Sequence, residues 1–333
     1  MPLAPQTLAK PREGVFATHL TLYIGIVLVA ALASYGFWLK NRSIFACQAS
    51  GYSATRYLAY CGGGNYADYE HGAFQFDLEP PALEFARNAD VLVLGNSRIQ
   101  IALSNQPTED WFAAAKARYY LMGFSYDENV AYVGELLRKM QPRASVFIIN
   151  VDDFFRSGET VAAKAILHDP DAENRYEWKR FAQKLHRPIC ETFGVLCGKR
   201  YAIFRSRETG AYYRIPHDEP VFPQNAVSYD QNVDPALVKD GAALAINFLK
   251  QFAQGKCVIL TNVPYPKTND GDAEAIAKGV GLPLVTLENL EGLNTTDGYH
   301  LDRVSAERWS RAFFEAVGPE IRSCIERHGA AAS

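Results

Sequence analysis

The sequence predicts an α/β protein with a mostly parallel sheet and one N-terminal transmembrane helix, and three observations carry this. Short apolar runs recur at residues 91–94 (VLVL), 146–149 (VFII) and 258–260 (VIL), each followed by Gly, Asn or Thr-Asn, as buried parallel strands are. Segments of helical period lie between them. Residues 20–39 form an uncharged apolar stretch unlike the rest of the chain. Composition agrees: of 333 residues, 48% are hydrophobic and 21% charged, enough apolar mass for a sizeable core and too little charge for a disordered chain. The formal net charge of -3 supplies no broad cationic field, so a nucleic-acid partner is not expected.

The first element is the stretch at 20–39, LTLYIGIVLVAALASYGFWL, whose 20 residues match the hydrocarbon thickness of a bilayer at about 1.5 Å rise per residue. Tyr23 near one end and Tyr35 and Trp38 near the other are spaced like interfacial aromatics. Lys10 and Arg12 precede the stretch and Lys40 and Arg42 follow it, so basic residues alone do not orient it. Ala31-Leu32-Ala33 resembles a signal-peptidase site, but the apolar run continues past it, and an uncleaved anchor is favoured over a cleaved signal.

Cysteine placement argues for the side on which the bulk of the chain lies. Cys47 and Cys61 bracket one loop and Cys190 and Cys197 another, as local disulfides in an oxidising space do. For Cys257 and Cys324, buried thiols and a third bridge are equal alternatives. The expected organisation is a cytoplasmic tail at 1–19, an inner-membrane span at 20–39, an extracytoplasmic linker or cap at 40–87 and a single α/β domain at 88–328 on the periplasmic side.

Within that domain, residues 111–118 read as a helix. Residues 128–140 place Val130, Val133, Leu136 and Leu137 on one face, and 235–252 carry a similar stripe. A further strand is expected at 284–287. A last helix at 305–326 buries Trp309, Phe313 and Phe314. The rhythm breaks at about 155–229, rich in Arg, His, Tyr and Pro with a weak helical pattern at 176–185; this reads as an insertion over the sheet edge.

Two places carry the elements of nucleophilic chemistry. The first strand ends in Gly95-Asn96-Ser97-Arg98, a tight turn into a helix start that exposes Ser97 at the carboxyl edge of the sheet, where a nucleophile would meet backbone N–H groups. The bland alternative is that Ser97 is only a helix cap. Ahead of the last helix lies Asp297-Gly298-Tyr299-His300; an acid three residues before a histidine can reach Nδ1–H and aim Nε2 at a serine. Either element alone is weak. Both fall on one sheet edge in the expected topology.

With these residues the chain resembles the SGNH/GDSL hydrolase superfamily over about residues 88–325. The resemblance implies a three-layer α/β/α sandwich with Ser97 as nucleophile, His300 as general base and Asp297 as its orienting acid. It further implies an oxyanion hole made by the Ser97 and Gly123 amides and by Asn150. The family's third block is Gly-x-Asn-Asp, and this chain departs from it with Asn150-Val151-Asp152-Asp153. A strict alignment puts Asp152 at the amide position, where an ionised carboxylate could not donate. Within the superfamily, the anchor makes the chain most similar to extracytoplasmic members acting on cell-envelope glycans, including alginate O-acetylation and teichoic acid D-alanylation proteins.

Other constellations are weaker. Gly62-Gly63-Gly64 lacks the spacing of a phosphate loop. Asp152-Asp153 and His217-Asp218-Glu219 lack the spacing of a metal-ligand set, and His168, His186 and Arg205 in the insertion are candidates for substrate contact, with surface residues as the default reading. The expectation is a serine esterase or O-acyltransferase acting on an acylated saccharide, envelope polymer or small ester, with no metal or organic cofactor. The alternative is a non-catalytic envelope assembly protein partnering a membrane-bound acyltransferase.

Overall fold

The computed structural model describes residues 13–62, 66–215, 225–288 and 290–332. The tail basic residues Lys10 and Arg12, most of the Gly62–Gly64 run and His217-Asp218-Glu219 lie outside the described residues. The first helix, Glu13–Asn41, contains one segment, Thr18–Asn41, long and apolar enough to cross a membrane. Its apolar side chains face outward and not into protein, which separates it from a buried core helix.

Five parallel strands form the central sheet, in the order Leu284–Val285, Cys257–Thr261, Val146–Asn150, Val91–Asn96, Tyr119–Phe124. The three apolar runs read from sequence are its three inner strands. Every residue of Val91–Asn96, Val146–Asn150 and Tyr119–Phe124 is buried, so these strands need no polar alternation. Alternate side chains divide between two cores. Leu92, Leu94, Phe147 and Ile149 pack with the helices Val130–Met140 and Pro235–Phe252 on one face; Val91, Val93, Val146 and Ile148 pack with Gln106–Ala115 and Arg303–Ala332 on the other. Helices therefore cover both faces. The strand order reverses between Val91–Asn96 and Val146–Asn150, and the carboxyl ends of those two strands form the crevice where such sheets bind ligands.

Where boundaries differ from expectation, local chemistry explains it. The helix expected at 111–118 runs Gln106–Ala115 because Asn105 caps it, its Oδ1 accepting from Thr108 N at 3.1 Å, and because Lys116 leaves it in the left-handed region at φ 52°. The weak pattern at 176–185 is part of a longer helix, Ala172–Thr192.

The described part of 40–87, the expected linker or cap, packs with the insertion. Its strand Arg56–Cys61 pairs antiparallel with Ala202–Ser206, which pairs with Tyr212–Ile215, so this segment and the insertion share one three-stranded sheet. That sheet docks on the edge strand Tyr119–Phe124. Leu121 N donates to Thr209 O at 2.8 Å and Arg205 Nη2 donates to Leu121 O at 2.6 Å, so the edge is covered and protected from foreign strand pairing. Arg205 is thus a buried structural cation, paired with Glu70 at 2.9 Å, and not a surface residue. His186 is buried too, between Tyr52 Oη at 3.1 Å and Cys47 O at 3.2 Å. His168 is exposed beside Glu159.

All six cysteines are paired. Cys47–Cys61 and Cys190–Cys197 are the expected local bridges, and Cys257–Cys324, with Cα atoms 6.1 Å apart, is a third that ties an inner strand to the last helix. It closes a separation of 67 residues. On the chain-entropy account such a bridge stabilises by about 4 kcal/mol. The double substitution Cys257→Ala, Cys324→Ala should therefore lower the free energy of urea unfolding by roughly that amount, and an unchanged midpoint would contradict it.

Candidate active site

The site begins where the first sheet strand gives way to a helix. Gly95 has φ +152°, and a Cβ there would lie 2.7 Å from Ile99 Cγ2 and 2.9 Å from Asn150 Cβ, so only glycine permits this turn. Asn96 is the residue that caps the helix Ser97–Ala102, its Oδ1 accepting from Arg98 N at 3.0 Å. Its Nδ2 also donates to Asp152 O at 3.2 Å. An ionised aspartate could cap but could not make this second contact, which asparagine can. Ser97 is thereby released from capping. It stands at the first helical position, partly exposed.

Ser97 Oγ lies 2.8 Å from His300 Nε2, across 203 residues of chain. His300 Nδ1 lies 2.7 Å from Asp297 Oδ2. Asp297 Oδ1 accepts from the amides of Tyr299 and His300, both at 2.9 Å, which closes the Asp-x-x-His turn and fixes the carboxylate against the ring. Gly298 supplies the left-handed residue at φ +81° that this turn requires. The three residues expected from sequence are therefore brought together as a continuous serine–imidazole–carboxylate relay. With Nδ1–H donated to Asp297, Nε2 is left as the acceptor facing Ser97.

Burial pushes the Asp297 carboxyl up, but the hydrogen bond and charge of His300 and the two amides outweigh it and bring the group down to about 2. A carboxyl more acidic folded than unfolded stabilises the fold above about pH 4, and that contribution fades as pH falls toward 2. Thermal melts between pH 5 and 2 should accordingly show Asp297→Asn losing stability less steeply than wild type; parallel curves would contradict the coupling.

The oxyanion set is partly corrected. Gly123 N donates to Gln100 Oε1 at 2.9 Å, and a Cβ on Gly123 would come within 2.6 Å of both Asn96 O and Gln100 Cβ. Its glycine is needed for close approach of strand and helix, and its amide is already committed. Asn150 is better placed. Its Oδ1 accepts from Val263 N at 2.9 Å, while its buried Nδ2 has no acceptor among the described residues. Asp152 does not occupy an amide position: it belongs to a cluster around Arg98.

That cluster is the main feature missed from sequence. The Arg98 guanidinium is 3% exposed and pairs with Asp152 through Nε, with Asp153 at 2.7 Å and with Asp127 at 3.3 Å, while lying 4.6 Å from the centroid of Tyr265. Burial pushes the Asp152 carboxyl up against the pull of Arg98, with Asp153 adding repulsion. Arg98, the residue after Ser97, therefore ties this helix start to the loops that follow two neighbouring strands. The Asp152-Asp153 doublet pairs with this cation. Its signal in the sequence is the Ser97-Arg98 step itself, followed by acids at 127, 152 and 153.

Comparison with protein-family models, with curated proteins and with solved structures finds no match to this chain.

Proposed function

We propose that this protein is a membrane-anchored serine esterase or O-acyltransferase of the SGNH/GDSL type, with its α/β domain outside the cytoplasm. The observation that carries this reading is the relay Ser97–His300–Asp297, at 2.8 and 2.7 Å, at the strand-order reversal of a parallel sheet. The strand order, the serine after the first sheet strand and the Asp-x-x-His turn ahead of the last helix support the family resemblance. Three disulfides support an oxidising compartment, and the Thr18–Asn41 segment supports a single-pass anchor.

In this reading Ser97 Oγ attacks an acyl carbonyl as His300 Nε2 takes its proton, with Asp297 holding the imidazole and stabilising the imidazolium. The Ser97 amide, which has no intrahelical acceptor at this position, and Asn150 Nδ2 would donate to the oxyanion. His300 then returns the proton to the leaving alcohol, and an acyl-serine forms. Water or a sugar hydroxyl, deprotonated by His300, attacks that ester and frees Ser97; the choice of acceptor separates hydrolase from transferase. The substrate class is an O-acylated saccharide, envelope polymer or small ester, and the relay itself calls for no cofactor.

One observation favours the second reading, an assembly protein partnering a membrane acyltransferase: the Gly123 amide, which the family uses as an oxyanion donor, is occupied by Gln100. A fluorophosphonate probe separates the two. Adduct formation on Ser97, reduced in His300→Ala, supports the enzyme; a folded wild type that never labels supports the assembly protein.

A further inference from the structure

The longest helix of the insertion has two apolar faces. Ala172–Thr192 buries Tyr176, Gln183 and His186 against the domain, yet Trp178, Phe181 and Leu185, spaced as one stripe, point to the opposite side and are exposed. Trp178 is 69% exposed and packs edge-on to Phe181 at 5.5 Å, so the stripe is one continuous surface. Arg180, Lys184 and Arg187 lie along one side of it, Arg180 paired with Glu177 at 3.5 Å and Arg187 with Glu191 at 2.9 Å. Beyond the helix the chain turns back through Gly194–Leu196, held by Cys190–Cys197, and exposes Phe193 and Val195, the latter at 80%.

This turn touches the membrane-spanning candidate helix. A Cβ on Gly36 would lie 2.9 Å from Leu196 Cδ2, and Gly36 and Leu39 are buried where the rest of the apolar run is exposed. Gly36 lies five residues before the helix ends at Asn41, about 7 Å along its axis. It is level with Tyr35 and Trp38, which stack at 5.6 Å, while Arg42 caps Trp38 at 4.2 Å; this is the arrangement of an interfacial aromatic belt. The contact is braced from behind. Gly198 N donates to Phe45 O at 2.7 Å, Arg200 N to Ala46 O at 2.9 Å, and buried His186 clamps the insertion helix to Cys47.

We infer that the Gly194–Leu196 turn and the exposed stripe of Ala172–Thr192 form a second membrane contact, lying in the headgroup and acyl boundary of the same bilayer that Thr18–Asn41 crosses. Contact with the anchor at belt level sets the depth of Val195. An exposed apolar stripe on an otherwise charged helix is the pattern of a helix that lies in a membrane interface. The domain is then laid on the bilayer and not suspended from a flexible stalk. The inference rests on the anchor crossing a bilayer and is independent of the chemistry at Ser97.

The test uses the full chain in nanodiscs of phosphatidylethanolamine with phosphatidylglycerol. p-Benzoylphenylalanine replaces Val195 or Trp178 in separate variants, Ile246 or Val304 as exposed apolar controls, and Leu32 as a span reporter; irradiation is followed by mass spectrometry of lipid adducts. Lipid adducts at both Val195 and Trp178, at least fivefold above both controls, are expected. Adducts at control level, or capture of a second copy of the chain in place of lipid, overturn the inference when Leu32 labels. Failure of Leu32 overturns the anchor, and the inference with it. All five positions are exposed, so thermal melts matching wild type are expected for every variant.

Discussion

Ser97→Ala is expected to lower kcat/KM for a small acyl ester by about 10⁴-fold or more while leaving thermal stability unchanged. The reason is local. The hydroxyl is partly exposed, it caps nothing because Asn96 holds the helix start, and its polar side-chain partner is His300 Nε2 at 2.8 Å. His300→Ala should cost a similar factor, and the double variant little more, because residues of one relay fail together. Asp297→Asn should be nearly as damaging, since the carboxamide no longer enforces the tautomer that presents Nε2 to the serine. Steady-state kinetics with p-nitrophenyl acetate, read beside fluorophosphonate labelling, decide the matter: a loss below tenfold in Ser97→Ala would remove Ser97 as nucleophile.

Arg98→Met should destabilise the protein by about 3–5 kcal/mol and disable the site with it. Methionine keeps most of the volume but takes the cation from Asp152, the least exposed of the three carboxylates; Asp153 retains Arg156 at 2.5 Å and Asp127 is largely exposed. Breaking a buried pair from one side strands uncompensated charge, which is why the cost exceeds that of an exposed ion pair such as Arg118–Asp90. The defect has a sign in pH. Burial already favours the protonated form of Asp152, and removing the cation strengthens that preference, so the variant should recover part of its stability as pH falls from 8 to 5. Urea unfolding at the two pH values measures both effects. A loss under 1 kcal/mol, or a defect that deepens on acidification, would contradict the role given to Arg98.

The legibility of the chain follows from the range of its contacts. Val91–Asn96, Val146–Asn150 and Cys257–Thr261 announce themselves because strands buried on both faces must be apolar at every position. The Asp297–His300 pair is equally readable, since a three-residue turn brings the carboxylate to the ring without help from elsewhere. The pairing of Arg56–Cys61 with Ala202–Ser206 was not readable: neither strand is a clean apolar run, and their partnership depends on an edge strand that both must cover. Arg205 and His186 misled for a related reason. Polar side chains are surface residues by default, and only partners distant in the chain, Glu70 and Leu121 O for Arg205 and Tyr52 Oη and Cys47 O for His186, make their burial tolerable. Gly123 shows the opposite error, a residue given a chemical role whose amide the neighbouring helix already uses.

By itself, the sequence determined the apolar span, the α/β alternation, two of the three disulfides and the identity of the three relay residues, because each is written in contiguous residues or short spacings. Tertiary structure alone decided that Ser97 and His300 meet across 203 residues, that Arg98 gathers three carboxylates beneath them, that Cys257 joins Cys324, and that the insertion returns to touch the anchor. The physical reason is the order of the parallel strands. It reverses beside the strand Val91–Asn96, so the loops that follow several strands converge on one crevice, and no local spacing in the chain records which of them will face one another there.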